Sequence, residues 1–152
     1  MPMRTTIRAF HTIPLFLLLG IAALLFMPRW NTYALNRAVR ELAFRMVQLE
    51  TLSRTTRTDY RVRFDAGIYT LSSWERESET WQPYLSEGYY KGIECADLDF
   101  DIVFSGGRFH EIRYRNGQKK PPKYLIVELR SARSGKTKGI IFYRDKDWRV
   151  LN

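Results

Sequence analysis

The chain has 152 residues, enough for one small domain with an additional N-terminal segment but not for two domains of ordinary size. Its formal net charge is +9, so we expect anionic partners such as lipid headgroups, nucleic acid or acidic proteins. The single cysteine, Cys95, excludes an internal disulfide and a cysteine-based zinc site, and a fold stabilised by its hydrophobic core is therefore expected.

The positive charge is concentrated at the start of the chain. Residues 1–57 contain eight arginines and two glutamates, so they carry +6 of the total, and the remaining residues carry +3. Within this region an unbroken apolar run extends from Ile13 to Met27 and is followed by Pro28 and Arg29. Arginines that flank an apolar run favour lipid as the first anionic partner.

Three interpretations of the apolar run are open: a cleaved secretory signal, a plain membrane anchor and a prepilin-type segment. A secretory signal lacks support because no small-x-small cleavage site follows the run. As a helix the run reaches roughly 22 Å, and interfacial Phe10 and Trp30 extend it towards the ~30 Å of a bilayer core. We therefore predict a basic leader or cytoplasmic end at 1–9 and a transmembrane segment at 10–30. The protein is predicted to be a single-pass inner-membrane protein with its head in the periplasm.

A second helical pattern continues the first. Apolar residues recur at alternating intervals of four and three, which is the spacing of one helix face. We predict that this face packs against the rest of the protein, and its members are Leu35, Val39, Leu42, Met46 and Leu49. The polar, β-branched stretch from Thr55 to Asp59 should end the helix.

The rest of the chain alternates between apolar and polar residues in short runs, which predicts strands. The predicted strands are Tyr60–Asp65, Ile68–Trp74, a short strand within Trp81–Tyr90, Ile93–Cys95, Phe100–Phe104, Tyr124–Arg130, Gly139–Arg144 and Trp148–Leu151. The predicted fold class is α+β and pilin-like. A long N-terminal helix, transmembrane and then amphipathic, precedes an antiparallel β-sheet head, and residues 31–152 form the head together with the amphipathic half of the helix.

This layout resembles the GspH/FimT-like minor pseudopilins of type II secretion and type IV pilus systems. The resemblance is carried by the basic leader, the apolar run broken by Pro28, the continuation Ala38–Phe44, the hairpin Tyr60–Trp74, the segment Phe100–Arg108 and the closing hairpin Ile140–Val150. It implies a non-enzymatic subunit without a cofactor, which acts by helix packing and by partner contacts of its head loops. The implied partners are other pilins or pseudopilins, inner-membrane assembly components and membrane lipid.

The same resemblance implies processing at the start of the helix. Prepilins of this family are cut before a residue that is then methylated, and Ala9–Phe10 is the best match for that position. The family places a glutamate at the fifth mature position, where this chain has Pro14, and its first glutamate is Glu41. A carboxylate in that position pairs with the neighbouring subunit. Its absence suggests a minor subunit at the tip of an assembly.

Catalysis and metal binding have little support in the sequence. His110–Glu111 is interpreted as a surface pair. Asp97, Asp99 and Asp101 alternate with apolar residues, and they lack the glycine and distal glutamate of an EF-hand. A solvated acidic strand face is therefore favoured over a calcium loop.

A basic and aromatic group near the end of the chain has the composition that binds phosphates and stacks on bases. It consists of Arg144, Lys146, Trp148 and Arg149, and Asp145 and Asp147 interrupt it. DNA binding, as in the minor pilins of natural transformation, is therefore the alternative function. An uncleaved, membrane-anchored interaction module is a third.

Overall fold

A computed structural model of the chain describes residues 9–89, 91–96, 98–116 and 122–151. Helix α1 spans Ala9–Thr56 and is followed by strands only. The strands are β1 (Tyr60–Asp65), β2 (Ile68–Glu75), β3 (Thr80–Gly88), β4 (Ile93–Cys95), β5 (Phe100–Ser105), β6 (Arg108–Tyr114), β7 (Tyr124–Ser131), β8 (Thr137–Tyr143) and β9 (Asp147–Leu151).

The strands form two antiparallel sheets. The first has five strands in the order β3-β2-β1-β5-β6, and the second has four in the order β4-β7-β8-β9. The C-terminal half of α1 contacts both sheets, and the buried side chains of the helix and of the two sheets form one hydrophobic cluster. The helix is therefore part of the core of the head.

Period-two alternation explains how the strands meet the helix. In β7, Leu125, Val127 and Leu129 are buried while the residues between them are exposed. Strand β1 alternates in the same way, with Val62 and Phe64 completely buried. Each sheet thus presents one apolar face to α1, as expected for antiparallel sheets with one covered face.

Strand β5 departs from this alternation because both of its faces are covered. The carboxylate of Asp101 is buried and receives two hydrogen bonds from Arg63, at 3.0 Å from Nε and 2.9 Å from the terminal nitrogen. Arg61 and Arg115 complete its shell, each at 3.3 Å. The acidic strand face predicted to be solvated is instead an ion-paired cluster at Asp101. Asp99 is exposed, and Asp97 lies outside the described residues.

The end of α1 follows from its threonines. The hydroxyls of Thr51, Thr55 and Thr56 donate to backbone carbonyls one turn earlier, which satisfies those side chains without extending the helix. Arg57 then takes the left-handed conformation with φ 54°, the usual geometry of a residue just past a helix C-terminus. The helix therefore ends within the stretch predicted to end it.

The predicted fold class requires correction. We predicted a pilin-like α+β protein with a transmembrane and amphipathic helix and one antiparallel sheet as its head. The described chain is mostly antiparallel β-structure, and its nine strands are divided between two sheets. Strand β6 was not among the strands whose bounds were predicted. A register shift between Val103 and Phe104 places its buried residues, Phe109 and Ile112, three positions apart instead of two.

The predicted location is corrected as well. In the part of the chain that the structure describes, no helix combines the length and the apolarity needed to cross a membrane. The single-pass inner-membrane placement with the segment at 10–30 is therefore not supported. Of the predicted leader at 1–9, residues 1–8 lie outside the described residues.

Candidate functional site: the helix surface

The first part of α1 exposes apolar side chains in every direction. Between residues 16 and 25 only Ala22 is partly covered. The large side chains here are Phe16, Leu17, Leu18, Leu19, Ile21, Leu24 and Leu25, each between 52 and 72% exposed. Exposed apolar surface of this extent is uncommon in monomeric proteins and marks an interaction site. We call this segment, residues 16–25, the apolar half of α1.

The second part of α1 lies in the head and buries one face. The structure buries all five residues of the predicted packing face: Leu35, Val39, Leu42, Met46 and Leu49, none more than 2% exposed. At about 1.5–3 kcal/mol for each fully buried large apolar side chain, this face is a major contribution to the core. It therefore serves the fold of one molecule and is not available to a partner.

The opposite side of the same helical stretch carries exposed aromatic and aliphatic residues. Trp30, Tyr33, Phe44 and Val47 are 71, 60, 64 and 49% exposed. With Arg37 and Arg40 between them they recur at alternating intervals of three and four residues, from Trp30 to Val47. A 3.5-residue repeat is the spacing that lets one helix pack along another. We call these six residues the outer stripe. It was not predicted from the sequence, because two of its six positions are arginines and the repeat is therefore not purely apolar.

The two positions predicted for prepilin processing lie at the start of α1. Ala9 and Phe10 are helical in their backbone, and the structure describes nothing of their side chains.

The residues predicted as a DNA or partner site are not one surface. Trp148 packs on Phe142 at 6.1 Å between ring centroids and donates its indole hydrogen to Glu50 at 2.9 Å. Arg149 makes two hydrogen bonds to Asp147, at 3.0 and 2.9 Å. Neither side chain is therefore available as a base-stacking or phosphate-binding group without first losing these contacts.

Arg144 and Lys146, the other two members, belong to a different environment. They lie in the β8–β9 turn and line a groove with residues of β6. The predicted basic and aromatic group is thus divided between the edge of the core and this groove.

A polar cluster connects α1 to the first sheet. Glu87 on β3 accepts hydrogen bonds from the hydroxyl of Tyr69 and from Arg45, the latter at 2.5 Å. Burial, together with the hydrogen bond to Glu87, raises the pKa of Tyr69 well above its usual range. Burial likewise raises the pKa of Tyr89, whose ring lies 5.7 Å from that of Tyr69. These groups are neutral phenols at physiological pH and position the helix rather than transfer protons.

Metal binding finds no geometric support where side chains are described. No group of three or more histidine, cysteine, aspartate or glutamate side chains comes together in this part of the chain in a way that could hold a metal ion. Asp101, a member of the calcium alternative, is surrounded by arginines, which would repel a cation.

Comparison of the chain with protein-family models, with curated proteins and with solved structures gives no match.

Proposed function

We propose that the protein is a non-enzymatic building block of a helix-packed assembly, a minor pseudopilin of the kind that the GspH/FimT-like resemblance implies. In this proposal the apolar half of α1 packs against helices of neighbouring pilin-like subunits. The head carries loops that select partners. The single observation that carries the proposal is the exposure of the apolar half on all sides, while the next part of the same helix is built into the head.

The outer stripe supports the same function. From Tyr33 to Val47 it runs along the side of α1 opposite the buried face, so a neighbouring helix can follow it beyond the apolar half. Arg37 and Arg40 are exposed cations within the stripe, so electrostatic complementarity favours acidic groups on that neighbour. The stripe therefore contributes partner choice, and the apolar half contributes most of the buried area.

Single cysteines along the apolar half test this proposal. Cysteines are placed one at a time from Leu17 to Leu25 in a Cys95→Ala background, and the full chain is treated with a short bis-maleimide. We expect the yield of cross-linked dimer to oscillate with a period of about 3.6 residues, because one helix face meets the neighbour. Ser78→Cys, in the exposed β2–β3 turn, is the control and should give no dimer.

The pattern of the yields decides the outcome. Uniform cross-linking at every position would indicate non-specific association of apolar surface, and no cross-linking would indicate a monomer. Uniform cross-linking contradicts the proposed function, and a monomer contradicts packing between copies of this chain. Mass spectrometry of the mature N-terminus adds a second test, since an intact Met1 would contradict entry into an assembly by the usual prepilin route.

A further inference from the structure

A groove of about 300 Å³ lies at the edge of the head, away from the helix surface described above. Its lining comes from β6 on one side, with His110, Glu111 and Ile112, and from the β8–β9 turn on the other, with Arg144 and Lys146. The first sheet and the second sheet therefore each contribute one wall.

Strand β6 ends the first sheet on this side. It pairs with β5, and no other described strand pairs with it. An edge strand presents a row of backbone donors and acceptors to any chain that can lie beside it. One donor is already occupied, since the amide of Phe109 points to the carboxylate of Glu50 at 3.3 Å. Beyond Phe109 the edge continues into the groove.

The groove has an excess of positive charge. Glu111 is paired with Arg113 on its own strand, so its charge is compensated. Within the part of the chain that the structure describes, neither Arg144 nor Lys146 forms an ion pair. Two uncompensated cations therefore face an open strand edge.

The backbone of Lys146 provides an independent observation. Its φ is +74°, in the left-handed region where glycine is the favoured residue. The turn closes with a 3.1 Å hydrogen bond from the Lys146 amide to the Tyr143 carbonyl, and this bond would form equally well with glycine. Lys146→Gly would therefore remove the cationic side chain without straining the turn.

We propose that this groove binds a short extended segment of an acidic partner protein, which adds to the free edge of β6. Backbone hydrogen bonds to β6 hold the segment, and its carboxylates meet Arg144 and Lys146. Duplex DNA fits less well, because it has no backbone amide and carbonyl groups in an extended row with which to continue the free edge of β6.

Titration of the full chain with a six-residue peptide that alternates glutamate and valine tests the proposal. Alternation places all carboxylates on one face of an extended peptide. We expect saturable binding in calorimetry. Affinity should fall at least tenfold when lysine replaces glutamate, and at least tenfold when alternate backbone amides are N-methylated, because each change removes one of the two proposed interactions.

Two matched glycine variants separate binding from folding. Lys146→Gly removes the side chain and relieves the positive φ, so it should weaken binding at least tenfold while leaving the thermal midpoint equal or higher. Arg57→Gly makes a comparable change at another positive-φ basic residue, which does not line the groove, and should leave binding unchanged.

Three results would overturn the proposal: no binding of the alternating peptide, equal binding of the N-methylated peptide, or equal binding by the Lys146→Gly variant. Displacement of the peptide by an equal concentration of duplex DNA would also overturn it, in favour of a nucleic-acid site. None of these outcomes depends on the apolar half of α1, so this proposal and the proposed function can fail independently.

Discussion

The carboxylate of Glu50 on α1 accepts a hydrogen bond from the indole of Trp148 on β9, with 2.9 Å between Oε1 and Nε1. The same oxygen lies 3.3 Å from the amide of Phe109 on β6. One helical side chain therefore connects the edge strands of both sheets. This contact adds a polar link to the hydrophobic cluster that joins the helix and the two sheets.

Replacement of Glu50 by alanine should destabilise the head. It leaves an indole and a backbone amide without their acceptor, and hydrogen bonds to a charged group contribute roughly 1.5–3 kcal/mol each. Because Glu50 is only half-buried and water partly replaces it, we expect a loss of about 2–3 kcal/mol in urea unfolding followed by tryptophan fluorescence.

Two further variants show whether the acceptor is responsible. Glu50→Gln keeps one side-chain oxygen and should lose about 1 kcal/mol. Glu77→Ala, in an exposed turn, should change stability by less than about 0.5 kcal/mol. If Glu50→Ala and Glu77→Ala unfold at the same urea concentration, the bridge does not contribute to stability.

The β5–β6 turn should be intolerant of a side chain at Gly107. A Cβ there would lie 2.6 Å from Nε and 2.9 Å from Cβ of Arg54, and φ is +83°. The amide of Gly107 also donates to the hydroxyl of Ser53 at 2.9 Å, so the turn cannot move away without loss of a buried hydrogen bond. Gly107→Ala should therefore lower the free energy of unfolding by about 2–4 kcal/mol, because steric crowding and backbone strain add together.

Gly106→Ala is the matched control for this crowding. Gly106 has φ +61° but nothing within 4 Å of an added Cβ, so only the backbone cost of about 1–2 kcal/mol applies. Chemical denaturation of the two variants measures the difference directly. Equal losses of stability in the two variants would mean that the Arg54 side chain moves aside and that the close contact does not affect stability.

Removal of the negative charge of Asp101 should greatly lower the free energy of unfolding. Asp101→Asn keeps the shape of the side chain but leaves Arg61, Arg63 and Arg115 without a common anion. Breaking a buried ion pair costs about 3–5 kcal/mol, and we expect about 2–4 here because Arg63 is partly exposed and rehydrates. The exposed Asp99→Asn should change stability by less than about 0.5 kcal/mol. Similar midpoints for the two variants in thermal unfolding would contradict this account.

Features that neighbouring residues determine could be predicted from the sequence. Features that depend on residues far apart in the chain could not. The buried face from Leu35 to Leu49 and the alternation in β7 are local patterns, and the sequence predicted where both would lie. The burial of Asp101 depends on arginines from β1 and from the end of β6, and no local pattern pairs them. The sequence therefore predicted a solvated acidic face where the structure has an ion-paired cluster.

Three further differences between the predicted and the observed structure also come from strand pairing or from contacts between distant residues. Strand β6 was missed because a bulge breaks the period-two pattern that identifies strands. Trp148 was assigned with its basic neighbours because they are adjacent in sequence, whereas its partner Glu50 lies 98 residues away. The division of the strands between two sheets is likewise set by long-range pairing, which hydrophobic periodicity does not encode.

The buried phenols make stability depend on alkaline pH. Burial, and for Tyr69 the hydrogen bond to Glu87, raises the pKa of Tyr69 and of Tyr89 above the ordinary value near 10 that applies in the unfolded chain. A raised pKa means that the folded state holds these protons more tightly. The stabilisation is therefore complete below pH about 10 and is lost as the pH rises further.

Absorbance at 295 nm follows this titration. Of the nine tyrosines, we expect three to ionise late, because burial also raises the pKa of Tyr84, to about 12. Tyr69 and Tyr89 should ionise together with the loss of tertiary structure in near-ultraviolet circular dichroism. In 8 M urea all nine should titrate together near pH 10. Tyr69→Phe should remove one late-ionising group and leave the early part of the curve unchanged. Complete ionisation of the folded protein near pH 10 would show that these hydroxyls are accessible to solvent, and the Tyr69–Glu87–Arg45 cluster would then not hold α1 against the first sheet.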